Sequence, residues 1–125
     1  MKQLIVLFVF ATLLLSNSDC NEKKATVEKY KGRLEIKGLC MNYTIRLLEG
    51  KIDTSKITAS WTDEMSKKTY SNVFALGSRC SFPDTIKEGD DFYFKIDTTT
   101  LQNCMVCLAY YPTPPKKLSI KVVEK

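Results

Sequence analysis

The chain has 125 residues, 19 Lys and Arg against 14 Asp and Glu for a net charge of +5, five cysteines and no histidine. The lack of histidine removes the usual general base near neutral pH, Ser-His and Cys-His pairs, and imidazole metal ligands. With no phosphate-binding glycine loop and no basic run of five residues, the chain reads as a non-enzyme with no catalytic residue, no cofactor, no metal and no nucleic-acid partner.

The first element is a targeting signal. Met1-Lys2-Gln3 carries one side-chain charge, and Leu4 to Leu15 follow with Thr12 as the one polar residue. That run is shorter than the roughly 20 residues of a membrane span. It fits the apolar region of a secretory signal peptide. Small residues at Ser16 and Ser18 allow cleavage after Ser18 or after Cys20. Residues 1–20 are therefore expected to be a cleaved signal peptide and residues 21–125 a single all-β domain. The protein is expected to be secreted and extracellular, with no membrane span. A cut after Cys20 leaves four cysteines, which suits two disulfides in an oxidising compartment. A cut after Ser18 leaves a fifth thiol, free or intermolecular.

Along the mature chain, alternation of apolar and polar residues predicts strands at 32–37, 39–48, 57–62, 69–76, 91–97, 104–111 and 118–124. Leu34 and Ile36 oppose Arg33, Glu35 and Lys37. Met41, Tyr43, Ile45 and Leu47 oppose Asn42, Thr44 and Arg46, which puts Asn42 outward. Asn42-Tyr43-Thr44 is the one glycosylation sequon. Ile57, Ala59 and Trp61 share an inward phase, and Phe92, Phe94 and Ile96 do the same further on. Asp63-Glu64 and Asp90-Asp91 fall in polar turns and read as solvated charge. Short strands at regular spacing predict a single antiparallel β-sandwich of about seven strands, Ig-like or similar, with a barrel as the alternative.

Cys104-Met105-Val106-Cys107 matches C-x-x-C. A redox pair normally opens a helix, and a zinc site needs two further close ligands. Neither is present, so the motif reads as structural. Residues three apart on a strand face opposite ways. Cys104 and Cys107 then take different partners from Cys40 and Cys80. We favour Cys40 with Cys107 and Cys80 with Cys104, the swap remaining open. Cys104 to Tyr111 is thereby expected to be a central strand stapled on both faces.

The leading functional expectation is a binding module for an extracellular protein partner, using loops or one sheet face. Tyr93, Tyr111, Pro112, Pro114, Pro115 and Phe82 are the candidate contacts, since aromatics in proline-framed loops lose little entropy on binding. A carrier of a small apolar ligand is the alternative, with Phe74, Phe92, Phe94, Trp61 and Met41 lining the space. Cys40-Met41-Asn42-Tyr43 through Leu47, with Cys80, Ile86-Lys87-Glu88-Gly89 and Phe92, resembles netrin-like modules. That resemblance covers under half of the mature chain and implies an OB/netrin-like closed barrel and extracellular protease inhibition. The amino-terminal C-x-C of the inhibitors is absent, because Asn21 and Glu22 follow Cys20. No inhibitory residue is carried over.

Overall fold

The computed structural model describes residues 28–99 and 104–125. The signal-peptide expectation and the Cys20 question lie outside these residues. Seven strands are described: β1 Tyr30–Lys37, β2 Tyr43–Glu49, β3 Thr58–Thr62, β4 Thr69–Leu76, β5 Asp91–Ile96, β6 Lys117–Leu118 and β7 Ile120–Val123. All belong to one sheet in the order β3-β4-β2-β1-β5-β7, with β6 beside β4. Among the described residues, no helix is long and apolar enough to cross a membrane.

β1 is the organising strand. Tyr30, Gly32, Leu34 and Ile36 are buried while Lys31, Arg33 and Glu35 stay partly exposed, the period-2 pattern of a strand with one face in the core. It pairs antiparallel with β2 on one side and β5 on the other. Two irregularities in the β1–β2 register, at Lys31/Gly32 and Leu34/Ile36, fit a sheet that bends. Within β4, Asn72 has a left-handed φ of 54°. Asparagine tolerates that conformation better than most residues. β3 pairs with β4 along Thr69–Val73 and β2 along Val73–Ala75, so the two ladders flank β4 on opposite sides and overlap at Val73.

β6 and β7 are two parts of one run, interrupted at Ser119. β6 pairs parallel with β4, and β7 antiparallel with β5. The buried Ser78 hydroxyl donates to the Ile120 carbonyl (2.7 Å) and accepts from the Ile120 N–H (2.8 Å). It thus supplies both backbone bonds where this run changes partner.

The core lies inside the curl of the sheet. Phe74 and Phe94 are fully buried with ring centroids 5.9 Å apart, and Phe92, Phe82, Tyr43 and Tyr30 extend the cluster at 5.5–6.0 Å. Such contacts add about 0.5–1.5 kcal/mol each beyond area burial. Ile52 and Ile57 fold in from the β2–β3 connection.

The structure corrects several expectations. The strands form one open sheet rather than two facing sheets, and the closed OB/netrin-like barrel is not formed either, since the sheet path ends at β3 and β7. The 39–48 strand is broken: Leu39–Met41 is a 3-10 turn in which Cys40 and Met41 have φ of 57° and 58°. Thr44 is buried instead of facing out. Trp61 is only half-buried and stacks on Tyr70 at 6.2 Å, because β3 is an edge strand reaching past the core. Residues 104–111 form no strand. The edge of β4 available to them is taken by β6, and Pro112, Pro114 and Pro115 lack the N–H a ladder needs.

Candidate functional site

Residues 104–111 form a strap tied across one end of the sheet. Two disulfides anchor it: Cys80–Cys104 and Cys40–Cys107, with Cα separations of 5.4 and 5.0 Å. Each closes a loop, over sequence separations of 24 and 67 residues. Residues 104–111 are not a strand, so alternation of faces does not separate Cys104 from Cys107. What separates the two sulfurs is the position of their partners, one in the 3-10 turn after β1 and the other in the loop after β4.

Asn42 sits under the strap. Its Nδ2 donates to the carbonyls of Leu39 (2.8 Å) and Ala109 (3.2 Å), and its Oδ1 accepts from Arg79 Nη2 (3.0 Å). The outward, free amide expected for glycosylation is therefore engaged, and a glycan on Nδ2 would displace the strap contacts. Further along, Tyr111 packs on Gly38. A Cβ at Gly38 would lie 2.4 Å from the Tyr111 ring and 2.5 Å from the Asn42 carbonyl. Only glycine leaves room for that approach. Tyr110 Oη lies 3.4 and 3.5 Å from the two Glu64 carboxylate oxygens.

Between these anchors the strap presents apolar side chains to water. Met105 is fully exposed, Leu108 is 97% exposed and Tyr110 78%, with Leu39 64% exposed in the anchoring turn. A cleft of about 380 Å³ under the first half is lined by Met41, Arg79, Phe82, Asp84, Met105 and Val106, together with the disulfide cysteines. Scattered exposed apolar residues are ordinary, but here several fall on one short segment.

The expected contact residues are divided by the fold. Phe82 is in the core, and Pro112 and Pro114 are buried, so these three do not face a partner. Proline-framed loop residues are expected at the surface, but here they pack inward. Tyr111 is half-buried and Pro115 exposed at the strap's exit. Tyr93 lies far from them in register, on the outer face of β5 opposite Lys31. Met105 and Leu108 belong to an apolar run, which a strand reading places in the interior, yet both are exposed. The two cysteines three apart beside a proline block were the available signal of a tethered segment.

The turn carboxylates serve the scaffold. Asp63 is buried, and burial opposes its ionised form. Hydrogen bonds from Ser66 and from the Met65 N–H outweigh that, aided by Lys67, and hold its pKa below the usual carboxylate range. Asp91 is held low chiefly by its hydrogen bond from Arg33 at 2.7 Å. Asp90 accepts from the Lys87 N–H at 2.9 Å. No group of three metal-ligating side chains converges among the described residues. Comparison with protein-family models, with curated proteins and with solved structures found no significant match.

Proposed function

We propose that the protein is a secreted, non-enzymatic binding module that engages an extracellular protein through the strap. The observation that carries this reading is the exposure of Met105, Leu108 and Tyr110 on a segment fastened by two disulfides. Burying a Met or Leu side chain in a partner is worth about 1.5–3 kcal/mol. A segment already held in place loses less entropy when it binds. The disulfides also suit an oxidising compartment.

Replacement of Met105, Leu108 and Tyr110 together by Ser tests this. The four disulfide cysteines stay, so the anchors are kept. A partner captured by the wild-type protein from extracellular fluid should be lost from the variant. Equal capture by both proteins would rule out the strap.

A second reading, inhibition of an extracellular protease of the netrin-like kind, is favoured by the strand order. β2 lies between β1 and β4, with β3 inserted before β4 as an edge strand; β5 returns beside β1, and β6 runs parallel to β4. A partly open Greek-key barrel of the OB type has this kind of connectivity. Absence of inhibition of metalloproteases and serine proteases at micromolar protein would end it. The small-ligand carrier has less support, because Phe74, Phe92 and Phe94 pack on one another and Trp61 lies outside the core.

A further inference from the structure

We propose that the outer face of β1, β5 and β7 binds a sulfated glycan chain through Lys29, Lys31, Lys95 and Lys121. The surface is separate from the strap and does not depend on it. The lysines are far apart in sequence and are assembled by strand pairing. Lys95 lies directly opposite Lys121 in the β5–β7 ladder. Tyr30 is level with Phe94, so one residue earlier Lys29 comes level with Lys95. Lys95 of β5 and Lys121 of β7 therefore form a row, strands being about 4.8 Å apart, and Lys29, the residue leading into β1, extends it. Lys31 and Tyr93 occupy the next row. Tyr30, Phe92 and Phe94 point into the core, so these alternate residues point out.

Like charges placed opposite each other across a ladder repel. The protein compensates them little. Lys31 reaches Glu49 at 3.8 Å, and Arg33 is satisfied by Asp91. Lys29, Lys95 and Lys121 form no ion pair within 4.0 Å among the described residues. Asp97 is the carboxylate facing Lys121, and it already accepts from the Thr99 N–H and hydroxyl. Lys29 and Lys31 stand 5.2 and 5.9 Å from the Tyr93 ring, which gathers their ammonium groups over one aromatic face. A row of ammonium groups lacking carboxylate partners is complementary to a polymer carrying repeated anions.

The chemistry of the face selects among polyanions. The large exposed apolar residues, Leu39, Met65, Met105, Leu108 and Tyr110, all lie on the strap, its anchoring turn or the β3–β4 turn. Nothing of that kind on this face would enter a lipid bilayer. Two disulfides suit an extracellular setting, where sulfated glycans rather than nucleic acids are the abundant polyanion.

The test is binding of the full chain to immobilised heparin at about 0.15 M NaCl. Lys95→Glu with Lys121→Glu should weaken binding at least about tenfold and flatten its salt dependence. Lys68→Glu with Lys117→Glu makes the same charge change elsewhere and should leave affinity within about twofold. The Glu pair again sets like charges opposite each other, so the melting temperature of the first double variant should stay near that of the wild-type protein. No retention of the wild-type protein, or equal loss in both double variants, would overturn the proposal. So would equally tight, lysine-dependent binding to phosphatidylserine vesicles or duplex DNA.

Discussion

At the scale of single residues, Ser78 and Gly38 do the most with the least. Ser78 is fully buried and satisfies both backbone groups of Ile120 through one hydroxyl. Removing that hydroxyl leaves a buried N–H and C=O without partners. Ser78→Ala should therefore cost about 1–3 kcal/mol, read as a lower denaturant midpoint. Gly38 works by absence. A methyl group there meets Tyr111 and a backbone carbonyl within 2.5 Å. Gly38→Ala should cost about 1–3 kcal/mol by overpacking and push the end of the strap outward. Faster proteolysis next to Leu108 or Tyr110, with unchanged far-UV circular dichroism, is the expected sign.

At the scale of elements, the strap is held by cross-links rather than by a ladder. The core strands are held by backbone pairing and aromatic packing. The strap has its two disulfides, the Asn42 amide and the Tyr111 contact. Replacing Cys40 and Cys107 by Ser removes the longer loop closure and should lower stability by about 2–4 kcal/mol. The sheet should persist, because no strand of the core depends on Cys107 for its pairing. Near-native far-UV dichroism with loss of strap-dependent binding is the expected outcome. A global loss of β-structure would show that the strap is integral to the fold.

At the scale of the whole molecule, the carboxylates set an acid limit. Asp53, Asp63, Asp91 and Asp97 all lie below the ordinary Asp range in the folded state, through hydrogen bonds from Ser55, Ser66, Arg33 and Thr99 respectively. A depressed folded pKa contributes stability above the unfolded value of about 3.9 and loses it as pH falls through the folded value. Thermal stability should be flat from neutral pH to about pH 5 and fall below about pH 4. Asp91→Asn should shallow that fall by removing one contributor. At the alkaline end Tyr30 is raised to about 12, chiefly by its hydrogen bond to Glu28 and also by burial. A raised folded pKa contributes stability below about pH 10 and loses it as pH climbs toward 12.

Alternation was enough to read most of the strands, because a strand with one wet face must repeat every two residues. Leu34 and Ile36, or Phe92 and Phe94, therefore declared their faces before any contact was known. The pattern failed where apolar residues do not face the core. Met105 and Leu108 are apolar and exposed, while Thr44 and Ser78 are polar and buried. Periodicity reports a local preference, and burial depends on which neighbour arrives. The cysteines announced two cross-links, but their pairing came from the placement of the turns that carry Cys40 and Cys80. Whether the strands make two sheets or one depends on long-range pairing, here on β5 returning to β1 and β6 to β4. Composition alone showed a net charge of +5 spread along the chain. Only the register of β1, β5 and β7 brought Lys29, Lys95 and Lys121 into one row, because pairing sets distances between residues that sequence separation does not.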